Sequence, residues 1–267
     1  TASCIFVTGI WKSGNHLAYS ALNALGIPGP VNGIAAHLVF GRHAWAKRLL
    51  RGPHTRGDGI QVGLETEAFV SRRYIASEVR RLTGKIMGGH AAYSAELAKL
   101  MTDGGAQMIC IRRDPRDIVV SFADWIGSRP DYFLHPAFAP LSREERVRLL
   151  LRGGELDVAR LCPFPDVLRL AEGWLSAENV LQVSFEELIG PAGGGDAAAQ
   201  IRALAALHTH SGAPKPLEDV DKASIYGASL TFNKGRSQRW RELADPFLVE
   251  EIEETMGPHL GVWGYEE

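Results

Sequence analysis

The stretch that most constrains the fold lies at residues 4–17 and reads Cys-Ile-Phe-Val-Thr-Gly-Ile-Trp-Lys-Ser-Gly-Asn-His-Leu. Its apolar run at residues 5–7 is typical of a buried parallel strand. A glycine loop containing Lys12 follows, and apolar spacing then predicts a helix over residues 16–25. A strand, glycine loop and helix in this order can surround a phosphate with backbone N–H groups, and a lysine adds positive charge.

The loop does not follow the usual nucleoside-triphosphate-binding pattern. That pattern is Gly-x-x-x-x-Gly-Lys-[Ser/Thr], in which the lysine comes after the second glycine. Here Lys12 comes before Ser13 and Gly14. From the loop alone, an ordinary strand-to-helix turn and an anion-binding loop therefore both remain open.

Composition restricts the class of protein. The chain has 267 residues, enough for one sizeable α/β core, and we expect one domain over residues 1–267. The 29 Lys and Arg residues nearly balance the 31 Asp and Glu residues. No overall field therefore favours nucleic acid or an anionic membrane, and any anion site has to be local.

The three cysteines, Cys4, Cys110 and Cys162, lie far apart in the sequence. They form neither a Cys-x-x-Cys pair nor a His/Cys cluster, so we expect no metal site and no disulfide framework. We expect no signal peptide before the first strand, and no apolar run approaches the ~18 residues of a membrane span. We therefore expect a soluble cytoplasmic protein.

Hydrophobic spacing predicts an alternation of strands and helices along the rest of the chain. Strands are expected at residues 85–89 and 107–113, and a strand turning into a short helix at 179–188. Helices are expected at residues 45–50, 71–83, 94–103, from 115 onward, 142–152, 157–175, 196–208 and 246–255, with Pro163 and Pro165 breaking the run at 157–175. This alternation favours an α/β fold with a parallel sheet.

Two polar residues stand at the ends of predicted strands. His90 follows the strand at 85–89, and Arg113 ends the next one. The carboxyl ends of parallel strands form the crevice in which α/β proteins bind ligands. Because Gly88 and Gly89 precede His90, we expect little crowding around its imidazole, which at an ordinary pKa of ~6.5 can accept a proton at neutral pH. A purely structural histidine also fits this position.

Five segments, in order, resemble the sulfotransferases that use 3′-phosphoadenosine 5′-phosphosulfate (PAPS). Residues 8–16 are similar to their phosphosulfate loop, Thr-Tyr-Pro-Lys-Ser-Gly-Thr-Thr-Trp, and His90 falls where their second strand ends in Lys-Thr-His. Residues 113–121, Arg-Asp-Pro-Arg-Asp-Ile-Val-Val-Ser, resemble Arg-Asn-Pro-Lys-Asp-Val-Val-Val-Ser. Residues 185–188 resemble Tyr-Glu-Asp-Leu, and residues 232–240 resemble Arg-Lys-Gly-x-x-Gly-Asp-Trp.

The resemblance implies a single α/β domain with a central parallel sheet of four or five strands, flanked by helices, and a P-loop-like phosphosulfate-binding loop. It implies PAPS as co-substrate and adenosine 3′,5′-bisphosphate (PAP) as product. The sulfuryl group would pass to a hydroxyl or amine of a small-molecule or glycan acceptor. In this scheme His90 is the general base, Lys12 stabilises the leaving oxygen, and no metal takes part.

The resemblance also implies a set of co-substrate residues. Arg113 and Ser121 would bind the 3′-phosphate, and Phe185 would lie against adenine. The loop at residues 233–235 would close over the 3′-phosphate. The full set is Lys12, Ser13, Gly14, Asn15, His16, Arg113, Ser121, Phe185, Asn233, Lys234 and Gly235.

The chain departs from the family pattern at several positions. Gly88 stands in place of a lysine, and Asn233 in place of an arginine whose charge Arg236 could restore. Other departures are Trp11, Asn15, His16, Leu17, Phe185 and Gln238. A nucleotide kinase or other P-loop phosphotransferase, and a non-catalytic nucleotide-binding module, therefore remain alternatives.

The sequence does not identify the acceptor. Two segments, residues 26–81 and 127–152, are expected to line its pocket. Their aromatic residues fit an apolar or ring-containing molecule, although such residues are also common in protein cores. These aromatics are Trp45, Tyr132, Phe133 and Phe138.

Overall fold

A parallel sheet forms the centre of the computed structural model, which describes residues 3–35, 59–226 and 238–266. The strands in these ranges are β1 (Cys4–Thr8), β2 (Val31–Ala35), β3 (Gly59–Gln61), β4 (Phe69–Ser71), β5 (Ile86–His90), β6 (Ala106–Arg112), β7 (Gly154–Glu155), β8 (Arg160–Leu161) and β9 (Val180–Ser184). Five of these described strands form one sheet in the order β2-β5-β1-β6-β9, and every neighbouring pair is parallel. The predicted α/β class with a central parallel sheet is confirmed.

Helices cover both faces of this sheet. In the described ranges they are α1 (Asn15–Ala24), α2 (Arg72–Arg81), α3 (Ala95–Asp103), α4 (Pro115–Gly127), α5 (His135–Phe138), α6 (Arg143–Arg152), α7 (Phe164–Ser176), α8 (Phe185–Leu188), α9 (Ala197–Ser211) and α10 (Pro246–Trp263). Local sequence explains where several of them begin. Side chains of Ser71, Ser94 and Asp196 accept hydrogen bonds from the first turns of α2, α3 and α9.

The core lies on both sides of β1, as its apolar sequence predicts. Ile5 and Val7 pack on one side in a cluster with residues of α1 and α9. Cys4 and Phe6 pack on the other side with residues of α2 and α3. Since successive strand residues point to opposite faces, a strand that is apolar throughout is buried on both.

Two predicted helices differ in the structure. Residues 157–163 are not helical: β7 and β8 pair as an antiparallel hairpin there, and α7 begins at Phe164. Pro163 is the N-cap of α7 and Pro165 lies in its first turn, where proline is tolerated. The last helix, α10, continues past residue 255 to Trp263 although it contains Pro258, because Met256 and Trp263 are buried in the core.

Three strand ends come together at one edge of the sheet. Val7 of β1 is opposite Gly88 of β5, and Thr8 is opposite Cys110 of β6. The residues that follow these strands therefore share one crevice, which contains the β1–α1 loop, His90 and Arg113. Within the described ranges there is no helix long and apolar enough to cross a membrane, and no His/Cys/Asp/Glu group suited to a metal ion. All three cysteines are free.

We expect Trp174 to stabilise the carboxyl edge of the sheet. It is fully buried in α7, and its indole N–H donates to the carbonyl oxygen of Ala91, next to His90, at 2.8 Å. Trp174→Phe removes the donor and leaves a buried carbonyl unpaired, which should lower the free energy of unfolding by roughly 1–3 kcal/mol. Urea denaturation measures this. Phe247→Ala, at a position 76% exposed, is the control and should change little; an equal effect of both changes would contradict the assignment.

Candidate active site

Two glycines allow the loop between β1 and α1 to be compact. A Cβ on Gly9 would lie 2.5 Å from Ser13 Oγ and 2.6 Å from the Ile111 carbonyl oxygen. Gly14 has φ of 114°, and a Cβ there would lie 2.9 Å from the ring of Phe185. Neither position accepts a side chain without rearrangement. Gly14 is also the N-cap of α1, so the loop ends at a helix N-terminus, as predicted.

Buried polar groups connect this loop to the end of β5. Ser13 Oγ donates to Asn15 Oδ1 at 3.3 Å. Asn15 Nδ2 donates to the carbonyl oxygen of Gly89 at 2.9 Å. Asn15, which departs from the family pattern, therefore fixes the distance between the loop and the strand that carries His90.

His16 and Tyr19 lie at the start of α1. His16 is exposed and its ring is edge-on to Tyr19, with centroids 5.4 Å apart. Although its ring reaches solvent, the protein around it removes part of its solvation, and this, followed by the charges of Lys12 and Arg129, lowers the pKa of His16. The Tyr19 hydroxyl oxygen lies 2.5 Å from where a Cβ of residue 88 would be, so any side chain at Gly88 would require Tyr19 to move.

Lys12 has an unusual backbone conformation and an unusual charge environment. Its φ is 69°, in the left-handed region that non-glycine residues rarely adopt and that often marks functional sites. Its Nζ lies 5.8 Å from the centroid of the Trp125 ring. Burial, and then the positive charges of Arg113, Arg239 and Arg129, together lower the pKa of Lys12 to about 8.

Arg113 contacts the loop directly. It is 4% exposed, and its Nη1 donates to the Lys12 carbonyl oxygen at 3.2 Å. Its Nη2 lies 3.5 Å from Asp117 Oδ2, and its guanidinium carbon lies 4.4 Å from the Phe185 ring centroid. One side of the Phe185 ring is therefore in contact with Arg113. Ser121 is buried two turns along α4 from the strand end.

Asp117 holds the chain that follows the predicted closing loop. Its Oδ2 accepts from the Gln238 N–H at 2.8 Å, and its Oδ1 accepts from the Trp240 N–H at 3.3 Å. Two guanidinium groups lie over the buried Trp240 ring, with Arg116 at 4.6 Å and Arg241 at 4.4 Å from its centroid. The predicted contacts of Asn233, Lys234, Gly235 and Arg236 lie outside the described residues, as does Trp45.

The geometry of His90 defines its tautomer. Its Nδ1 lies 2.7 Å from the Gly9 carbonyl oxygen. A carbonyl only accepts hydrogen bonds, so Nδ1 carries the proton in the neutral ring and Nε2 carries the lone pair. The expectation of little crowding was wrong: the Trp11 ring stacks on the imidazole, with centroids 3.9 Å apart and planes at 26°. The glycines next to His90 give no information about Trp11, because Trp11 belongs to the β1–α1 loop, far away in the sequence.

An aromatic cluster continues from Trp11 away from the loop. Trp11 and Trp125 stack with centroids 5.4 Å apart, and Tyr132 meets Trp125 edge-on at 4.7 Å. The Tyr132 hydroxyl donates to Glu65 Oε1 at 2.7 Å. Glu65 is buried, and burial raises its pKa.

The predicted pocket aromatics separate into two groups. Tyr132 belongs to the cluster beside Trp11, and Phe133 packs on Tyr132 with centroids 4.8 Å apart. Phe138 is fully buried in the core between helices, so it lines no cleft. Sequence reasoning did not single out Trp125 or Glu65, because both are brought to the site by long-range contacts.

The pKa of Lys12 can be tested directly. Acetic anhydride labelling over a pH series, with mass spectrometry of the Lys12 peptide, should give a midpoint near 8. Arg113→Ala should raise that midpoint because it removes a nearby positive charge. The unfolded chain binds the Lys12 proton more tightly, so the free energy of unfolding should rise with pH between about 8 and 10.5. An ordinary lysine midpoint in the folded protein would contradict the described environment.

Comparisons with known proteins agree with this architecture. No family model matches the chain, and no curated protein matches it in sequence. The crystal structure of mouse sulfotransferase SULT7A1 complexed with PAP is similar, with a TM-score of 0.60 at 15% identity over 97% of this chain and 85% of that chain. Retinol dehydratase with androsterone and the inactive cofactor PAP, and with retinol and PAP, gives TM-scores of 0.48 at 14% and 15% identity, covering 96% of this chain and 80% of those chains. The similarity to the mouse enzyme shows that this chain has the sulfotransferase fold.

Proposed function

We propose that the chain is a PAPS-dependent sulfotransferase that transfers the sulfuryl group to a hydroxyl or amine of a small-molecule acceptor. The observation that carries this proposal is the convergence of Lys12, Arg113 and His90 at the carboxyl edge of one parallel sheet. Ligands of such sheets bind at that edge.

The positive charge at this edge suits the anionic groups of PAPS. Burial lowers the pKa values of both Lys12 and Arg113, which means that their charged forms lack full solvation. An anion bound between them restores favourable interactions for both. In the proposed site the loop and the N-terminus of α1 hold the 5′-phosphosulfate, while Arg113 and Ser121 hold the 3′-phosphate.

His90 is the proposed general base. The Gly9 carbonyl oxygen orients its protonated Nδ1, so Nε2 receives the proton of the acceptor hydroxyl. The acceptor oxygen forms a bond to sulfur as the bond from sulfur to the phosphate oxygen breaks, and that oxygen keeps the electron pair. Lys12 in its charged form stabilises the developing negative charge there.

The walls beside His90 support an aromatic or apolar acceptor. Trp11 and Trp125 are half-buried and lie between His90 and Lys12. Incubation with sulfur-labelled PAPS and separate panels of phenols, alcohols, amines and saccharides tests both the activity and the acceptor class. Transfer to phenols or ring alcohols is expected. Tight PAP binding with no transfer to any panel would favour the non-catalytic module instead.

Arg113 should distinguish nucleotides by their 3′-phosphate. A hydrogen-bonded charged contact contributes about 1.5–3 kcal/mol, so Arg113→Ala should weaken PAP binding roughly ten- to a hundred-fold. Binding of AMP should change little, and calorimetry measures both. Arg112→Ala is the matched control. Arg112 is the neighbouring arginine, but its guanidinium donates to the Trp263 carbonyl oxygen at 2.8 Å and not to the β1–α1 loop. Equal losses for PAP and AMP would make Arg113 a scaffold residue.

Removal of the base should separate turnover from binding. General-base catalysis contributes about 10²–10⁴ in rate, so His90→Ala should lose that factor in kcat while PAP affinity stays within a few-fold. His16→Ala tests the rival histidine of the loop. An active, folded His90→Ala variant together with an inactive His16→Ala variant would transfer the role to His16.

A further inference from the structure

Arg239 is a buried cation whose hydrogen bonds are incomplete. It is 4% exposed, and its Nη2 donates to Asp124 Oδ2 at 2.7 Å. Its Nε and Nη1 are also buried, yet within the described part of the chain neither has a hydrogen-bond partner. Buried donors on a charged group are costly to leave unpaired. The arrangement is therefore one that an additional acceptor would complete.

The position of the Arg239 side chain follows from its anchors on α4. The backbone N–H groups of the residues on either side of it bind the Asp117 carboxylate. Its guanidinium binds Asp124, which is seven residues, or two turns, further along the same helix face. Ser121, the serine expected at the 3′-phosphate, lies between these two anchors in the sequence of the same helix.

The Arg239 guanidinium is close enough to Lys12 and Arg113 to interact with both electrostatically. Its positive charge lowers the pKa of both Lys12 and Arg113. Asp124 is already shared, since Arg143 of α6 binds its two oxygens at 2.8 and 3.1 Å. The two carboxylates of α4 thus face more positive charge than they neutralise, and the cleft favours an anion.

We propose that Arg239 is a phosphate-binding residue of the nucleotide site, donating from Nε and Nη1 to a phosphate oxygen of bound PAP or PAPS. The proposal rests on the proposed function of this cleft. In the family pattern the residue before the final tryptophan is an aspartate, so the resemblance does not predict a cation at Arg239. The same pattern has an arginine where this chain has Asn233, and Arg239 restores a cation to the site from a different position.

Calorimetry on Arg239→Gln tests the proposal with three nucleotides. PAP binding should weaken roughly ten- to a hundred-fold, as for other charged hydrogen bonds to a ligand. Comparison of 5′-AMP with 3′-AMP identifies the phosphate that Arg239 contacts, since only the nucleotide carrying that phosphate loses affinity. Unchanged affinity for all three nucleotides would overturn the assignment.

Arg143→Gln is the matched control. It removes the other arginine of Asp124 but leaves the buried N–H groups of Arg239 in place, so nucleotide affinity should stay near that of the wild type. Equal losses for the two variants would mean that Arg239 acts only through Asp124, which overturns the proposal. If Arg239→Gln does not fold, Arg239→Lys, which keeps the charge and loses the planar fork, should still bind PAP more weakly than wild type.

A pyrophosphate titration distinguishes this proposal from the proposed function. Wild-type protein that binds pyrophosphate through Arg239 but binds no nucleotide would refute the PAPS site and keep Arg239 as an anion-binding residue. Wild-type protein that binds neither would overturn both.

Discussion

The site contains buried positive charge, and carboxylates of helix α4 stabilise it. Asp117 and Asp124 lie on one face of this helix, and each binds a buried arginine, Arg113 and Arg239 respectively. Burial raises the pKa of Asp117, whereas Asp124, despite its own burial, has its pKa lowered by the hydrogen bonds and charges of Arg143 and Arg239. Asp117 lies against Arg113, which contacts the loop, and it also fixes the chain at residues 238–240.

This arrangement links the architecture to the proposed chemistry. A parallel sheet brings the strand ends to one edge, and the glycine loop leaves that edge open at the N-terminus of α1. The pKa of Lys12, about 8, is close to neutral pH. A bound anion would raise this pKa and so increase the fraction of Lys12 that is charged. The His90 tautomer is set by the same loop, through the Gly9 carbonyl. The proposed anion binding and proton transfer would therefore share one segment of backbone.

The sequence predicted those parts of the site that local pattern determines. The strand, loop and helix around Lys12, and the placement of Arg113 just before α4, follow from hydrophobic spacing, glycine and proline. Contacts between distant residues were not predictable in this way. Tyr132 and Glu65 are 67 residues apart, and Arg239 and Asp124 are 115 apart, so no periodicity records either pair. The hairpin at β7 and β8 was missed because Pro163 and Pro165 were interpreted as breaks within a helical run, whereas they mark the start of α7.

The sheet order also determines when the site can exist during folding. The central strand β1 pairs with strands that lie roughly 80 and 100 residues further along the chain, which are the distant contacts associated with slow folding. The loop after β1 takes its shape from the backbone of Ile111, the carbonyl of Gly89 and the ring of Phe185. During synthesis the loop is made first and its supports much later. The proposed anion site is therefore expected to form late, because the loop has no defined shape until β5, β6 and α8 have been made and have docked.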